Sequence, residues 1–212
     1  MEERLKAAFL GMKRQDAIRI VREALEGGKD PYSILNVCRE AMEEVGRRFE
    51  TGEFFLSELI YSAEVFKTIS ATLEPGLIGR PGREESVGMV VFGTPKGDIH
   101  DLGKNIVITM MRAQGFEVYD LGVDVPTERF IEEIQRTGAR ILAMSALITP
   151  AFVVMKEAIT LLEKKGLRKE TFVIIGGGVT TEFARKQVGA DVQTLNPIVA
   201  IRLCRNFIKG EI

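Results

Sequence analysis

The stretch Val87-Gly88-Met89-Val90-Val91-Phe92, followed by Gly97-Asp98-Ile99-His100-Asp101-Leu102-Gly103-Lys104-Asn105 and then by the run Ile106 to Ala113, carries the reading of the fold. The first segment is a short continuous apolar run and reads as a buried strand. The last is amphipathic and reads as a helix. His100, the only histidine in the chain, therefore falls on a loop at the carboxyl end of a strand. In open α/β sheets that edge is where ligands bind. Asp98 stands two residues before it, and a carboxylate there would fix the imidazole tautomer and improve the other ring nitrogen as a metal donor. Gly97 and Gly103 flank the pair where backbone can come close to a bulky ligand. One histidine with no cluster of thiols or carboxylates beside it cannot build a zinc site. It suits the axial position of a metal already held in a macrocycle. A satisfied surface or core histidine is the plain alternative.

Strand and helix alternate from here to the end. Strands are expected at 87–93, 116–121, 140–145, 171–175 and 191–194, and helices near 104–114, 126–137, 151–165, 180–188 and 197–208. Five such units imply a doubly wound parallel sheet of flavodoxin-like order 2-1-3-4-5. The switch point of that order brings the Asp98–Gly103 loop beside the loop Ser145–Thr149. Ser145 and Thr149 could bond the carboxylate or a polar ligand tail, although Thr149-Pro150 also reads as a helix cap and first-turn proline. Gly176-Gly177-Gly178 closes the fourth strand and permits a close backbone approach.

Residues 1 to about 74 read as four helices. One carries Leu5, Ala8 and Phe9; the next Ala17, Ile18, Val21 and Leu25, stopped by Gly27-Gly28. Asp30-Pro31 caps a longer third helix marked by Ile34, Leu35, Cys38, Met42, Val45 and Phe49. Thr51-Gly52-Glu53 breaks it, and Leu56, Leu59, Ile60, Ala63, Phe66 and Leu73 mark the fourth. Short connections suggest an antiparallel four-helix bundle. The proline- and glycine-rich stretch from Glu74 to Arg83 reads as a linker, giving expected domains 1–84 and 85–212.

The 212 residues are 45% apolar and 28% charged, with a formal charge of -1, which gives no electrostatic case for nucleic acid or an anionic membrane. No apolar run has the length of a membrane span, and Met1-Glu2-Glu3-Arg4 does not open a signal peptide. Two distant cysteines, Cys38 and Cys204, form no CxxC, so a reduced, cytoplasmic setting is expected. The first loop of the sheet lacks GxGxxG, no Walker A is present, and Ser145 stands where a response regulator needs an aspartate.

Three fragments together resemble the cobalamin-binding signature Asp-x-His-x-x-Gly, Ser-x-Leu, Gly-Gly. Here they are Asp98, His100 and Gly103; Ser145 and Leu147; Gly176 and Gly177, separated by 41 and 28 residues. Upstream, Ala41 to Phe55 resembles the helical cap of corrinoid methyl-carrier proteins. Those are the corrinoid subunits of methylamine, methanol and methoxyarene methyltransferase systems, similar to the cobalamin module of methionine synthase. The resemblance covers nearly the whole chain and implies a cobalamin or related corrinoid bound base-off and His-on, with His100 as axial cobalt ligand. It implies that Asp98 bonds the other imidazole nitrogen and Ser145 bonds Asp98. Cofactor contacts are implied at Gly97, Asp98, Ile99, Asp101, Leu102, Gly103, Ser145, Leu147, Thr149, Gly176 and Gly177, with the helical cap over the upper face; Phe54, Phe55, Leu56 and Leu59 are candidates for that surface, packing within the bundle being the plain alternative for each. Family members often carry Tyr or Asp just before the last helix, where this chain has Gln193-Thr194-Leu195-Asn196-Pro197.

The implied function is to accept a methyl group on Co(I) from a substrate-specific methyltransferase and deliver it from methyl-Co(III) to a second one using a folate or thiol acceptor. A reductive activation protein is implied as a third partner. Such a chain is not catalytic alone. The alternatives are a module of an adenosylcobalamin mutase, a cobalamin sensor, and a flavodoxin-like interaction protein with no cofactor.

Overall fold

A computed structural model describes residues 1–77 and 86–212. The chain divides into two compact units, Met1–Glu85 and Ser86–Ile212.

The first unit holds α1 (Glu2–Leu10), α2 (Arg14–Glu26), α3 (Pro31–Glu50) and α4 (Leu56–Leu77). Helices α1 and α4 each pack on α2 and α3, and α2 also touches α3. Asp30 caps α3, its carboxylate accepting from Ser33 N at 2.9 Å, with Pro31 in the first turn. The seam is built from Ile34, Cys38, Ala41 and Val45 of α3 and Leu59, Ala63, Phe66 and Ile69 of α4, all buried. Fully burying one such aliphatic or aromatic side chain contributes about 1.5–3 kcal/mol.

The fourth helix does not stop before the expected linker: it continues through Pro75 and Gly76 to Leu77. Pro75 has no N–H to donate to the carbonyl four residues back, so the last turn carries one helical hydrogen bond fewer. Gly76 also packs so closely on the start of α3 that a Cβ there would lie 2.7 Å from Pro31 Cγ. Residues 78–83 of that linker lie outside the described residues.

The second unit is a five-stranded sheet, β1 (Met89–Gly93), β2 (Glu117–Asp120), β3 (Ile141–Ser145), β4 (Phe172–Gly176) and β5 (Val192–Gln193). The order is β2-β1-β3-β4-β5 and every pairing is parallel, as the alternation predicts. Between and after the strands run α5 (Leu102–Ala113), α6 (Thr127–Thr137), α7 (Ala151–Lys164), α8 (Glu182–Val188) and α9 (Pro197–Lys209), with a 3-10 turn at Arg168–Glu170. The three central strands are buried along nearly their whole length, so they read as unbroken apolar runs. Asn196 caps α9 through Ile198 N and Val199 N. Thr149 does not cap α7. That helix follows Pro150 with no side-chain cap, and Thr149 contributes only its carbonyl, to Phe152 N.

The strand order reverses direction between β1 and β3. Their carboxyl ends therefore present two loops side by side, and these loops form the candidate site.

Candidate functional site

After Gly93 the chain makes a compact loop before α5. Thr94 is fully buried, and its hydroxyl donates to the His100 carbonyl at 3.2 Å. Asp98 N donates to Pro95 O at 3.1 Å, a turn that passes through Gly97 at φ +88. That left-handed value is the reason for glycine at 97.

Asp98 is 1% exposed and is the hub of the site. Its Oδ1 accepts from His100 N at 3.0 Å and lies 2.9 Å from His100 Nδ1. Its Oδ2 accepts from Leu147 N at 2.7 Å and Ile148 N at 3.2 Å. Burial pushes this carboxyl up, but the donors at His100 N, Leu147 N, the ring and Ile148 N outweigh burial and hold it below the usual aspartate value. An ionised carboxylate can only accept, so the ring must donate from Nδ1. Nε2 is then the nitrogen with the lone pair, and the imidazole that carries it is 54% exposed.

Ser145 does not bond Asp98, contrary to the role that the resemblance implies. The chain turns after Ser145, and the backbone N–H groups of Leu147 and Ile148 converge on the carboxylate in its place. Consecutive amides of this kind make an anion-binding concavity. The β4 loop supports the turn. Ala146 N donates to Gly176 O at 2.9 Å. Gly177, at φ +98, lies so close that a Cβ would fall 2.1 Å from Ala146 O.

Gly178 faces the movable end of Leu147, whose Cδ2 would be 2.9 Å from a Cβ. Gln193 holds the far end of that loop, donating to Thr180 O and Thr180 Oγ1 at 3.1 Å each. Thr180 in turn donates to Gly177 O at 2.8 Å.

Of the remaining expected residues, Ile99 (72% exposed), Leu102 (67%) and Leu147 (43%) are apolar side chains left in solvent around the imidazole. Asp101 is exposed and accepts from Asn105 Nδ2. Thr149 is exposed and Gly176 half-buried. In the helical unit Phe55 and Leu56 are exposed, and Phe54 lies under the Arg48 guanidinium at 5.3 Å. Leu59 does not stand on a surface: it is fully buried among the helices, one helical turn inward from Leu56.

Two features escape a reading by motif. Lys104 is 2% exposed yet lies on the buried face of α5 with Ile108 and Met111, and its Nζ donates to Asp120 Oδ1 at 2.6 Å and Asn105 Oδ1 at 2.8 Å. A charge on an apolar helical stripe signals such a partner. The other is Asp124, whose carboxylate accepts from Gly97 N at 2.7 Å.

The residues present fit a flat, largely apolar ligand with a metal at its centre. Gly103 sits in the first turn of α5, where glycine weakens a helix, and a Cβ there would meet no protein atom within 4 Å. Nothing among the described residues asks for glycine at 103, whereas a ligand lying over the helix start would. Among the described residues no group of three or more His, Cys, Asp or Glu could hold a metal ion. A metal at His100 would therefore arrive within its own chelator.

Residues 88–196 match the B12 binding domain family, and residues 1–74 match a second family of the same description. The dimethylamine corrinoid protein of Methanosarcina barkeri is 34% identical over 207 residues, 97% of this chain and 96% of that one. The chain belongs to the B12-binding corrinoid proteins. Two solved structures agree with that membership. A cobalamin-binding protein from Desulfitobacterium hafniense DCB-2 is 29% identical, with a TM-score of 0.73 and 98% of each chain covered. The methanol:cobalamin methyltransferase complex of Methanosarcina barkeri contains a chain 27% identical, with a TM-score of 0.83, covering 98% of this corrinoid protein and 79% of that chain. Among the described residues of this corrinoid protein, no helix is long and apolar enough to cross a membrane.

Proposed function

We propose that this chain is a corrinoid-binding methyl carrier. A corrinoid held here would supply a cobalt that takes up a methyl group and gives it up again. The chain itself would bind, orient and shield. His100 Nε2 would be the axial ligand in place of the corrinoid's own base. Asp98 holds the imidazole proton on Nδ1 and so keeps the Nε2 lone pair available. Gly103, Gly176 and Gly177 would leave room for the nucleotide tail. Leu147, Ile99 and Leu102 would exchange contact with water for contact with the ring. Phe55 and Leu56 are exposed apolar side chains of the helical unit, the kind that a cap over the cofactor would use.

The observation that carries this reading is the single outward imidazole whose Nδ1 is already committed to a buried carboxylate. The likeness to a dimethylamine corrinoid protein and to a chain of a methanol:cobalamin methyltransferase complex supports a substrate-specific methyltransferase as donor partner. A second methyltransferase with a folate or thiol acceptor and a reductive activation protein complete the cycle. The match of residues 1–74 to a B12 binding domain favours the carrier over a bare mutase module. The formal charge of -1 argues against a DNA-binding sensor.

The test is reconstitution with hydroxocobalamin and electron paramagnetic resonance of the Co(II) form. Protein labelled with nitrogen-15 at histidine should change the nitrogen splitting from a triplet to a doublet, and His100→Ala should lose it. No uptake, or a splitting indifferent to the label, would refute the proposal.

A further inference from the structure

The histidine loop has a second brace, supplied by the loop that follows β2. Backbone bonds zip the two loops together: Thr94 N to Gly122 O at 3.0 Å, Val125 N to Thr94 O at 3.0 Å, and Lys96 N to Val125 O at 2.8 Å. Asp124 extends this seam with its own side chain. Its Oδ1 accepts from Gly97 N at 2.7 Å, and its N–H donates to the Asp98 carbonyl at 3.0 Å. The two bonds grip the backbone on either side of Asp98. The start of the same loop is anchored in turn, because Asp120 Oδ1 accepts from both Lys104 Nζ and Gly122 N.

Asp124 stands at φ +55, in the left-handed region that L-residues avoid. Aspartate tolerates that region better than most residues, but glycine would occupy it at no steric cost. The side chain is exposed, so burial does not explain its presence. What glycine would not supply is the carboxylate oxygen that Gly97 N uses. The conformation turns the Asp124 amide and carboxylate toward the same stretch of loop, and that stretch carries the residue that sets the imidazole proton.

We infer that Asp124 is a positioning residue for His100: it presets the Asp98–His100 pair before any corrinoid arrives. This rests on the reading of His100 as the cobalt ligand. The Asp98 carboxylate makes two contacts to His100 and two to the β3 loop. It satisfies all four only while its backbone is fixed, and ligand geometry of this kind tolerates displacements of only about 0.5 Å. Releasing Gly97 N would let the turn open and weaken the grip on Nδ1.

The readout needs no cofactor. With one histidine in the chain, ring-nitrogen spectra of the corrinoid-free, nitrogen-15-labelled protein report a single imidazole. In alkaline buffer the wild-type ring should carry its proton on Nδ1. Asp124→Gly keeps the backbone path and removes the acceptor, and the ratio of Nδ1–H to Nε2–H should fall by about three-fold or more, the weight of one ordinary hydrogen bond. Asp124→Asn puts an oxygen back in reach of Gly97 N and should restore the ratio. A merely structural brace would lower the urea midpoint and leave the tautomer unchanged. A wild-type ratio in Asp124→Gly, or failure of Asp124→Asn to restore it, would overturn the inference. Hydroxocobalamin uptake by the wild type, measured separately, tests the corrinoid reading alone.

Discussion

Replacing Asp98 by asparagine exchanges one carboxylate oxygen for an NH2 group and should disturb both stability and ligation. The carboxylate is 1% exposed and takes four donors, two at each oxygen. Asparagine offers one oxygen, so whichever way it turns, two donors face an NH2 group. Hydrogen bonds to a charged group contribute about 1.5–3 kcal/mol each, so losing the one at His100 N outright, with the ring remaking the other, costs at least about 1.5–3 kcal/mol. The whole fold is worth about 5–15 kcal/mol. The oxygen should stay with Leu147 N and Ile148 N, because those amides cannot become acceptors. The NH2 then meets Nδ1, which can. The ring answers by moving its proton to Nε2, and the lone pair needed for a metal is lost. Urea unfolding gives the first quantity, and nitrogen-15 spectra of the single imidazole give the second. A loss below about 1 kcal/mol with the tautomer unchanged would refute the claim that this carboxylate ties the loops and sets the ring.

Three further outcomes follow from the geometry. Gly103→Ala should raise the melting temperature, since the Cβ meets nothing and alanine gains up to about 1 kcal/mol in a helix; hydroxocobalamin titration should show weaker retention in the same variant. Gly177→Ala should destabilise by about 3 kcal/mol or more, summing left-handed strain with the displaced Ala146 and Leu147 amides; chemical denaturation and the Leu147 amide resonance would report it. Because the Asp98 carboxyl is held below its usual value, its contribution is present at neutral pH and is lost as pH falls through its folded value. The stability gap between wild type and Asp98→Asn, followed by urea midpoints, should therefore narrow on acidification.

The sheet was legible because its strands are short apolar runs separated by amphipathic segments, and both patterns are written in residue order. Strand order followed from taking five alternating strand–helix units as a doubly wound sheet of flavodoxin-like type. The nearness of Asp98 to His100 was equally open to reading, since two residues in one tight turn have few places to go. Ser145 misled because a hydroxyl is visible as a donor in a sequence, whereas the backbone amides of Leu147 and Ile148 look the same as every other amide. Asp124 was hidden for a related reason: its importance lies in a left-handed backbone and a contact 27 residues away from Gly97. Leu59 shares a helical stripe with Leu56, and periodicity alone did not separate the buried member from the exposed one. Pro75 was taken as a terminus, although the glycine after it could still nest on Pro31.

The margins of the sheet bear on how such a corrinoid protein would meet other proteins. On one side β5 is two residues long, and its lead-in is tied down by Asp191, which takes Arg168 and Val173 N. On the other side β2 spans four residues and shows the exposed acids Glu117 and Asp120 at its ends. Neither rim offers a length of unpaired backbone on which a foreign strand could add itself. A partner protein would instead meet helices and loops, whose contacts can be broken one side chain at a time.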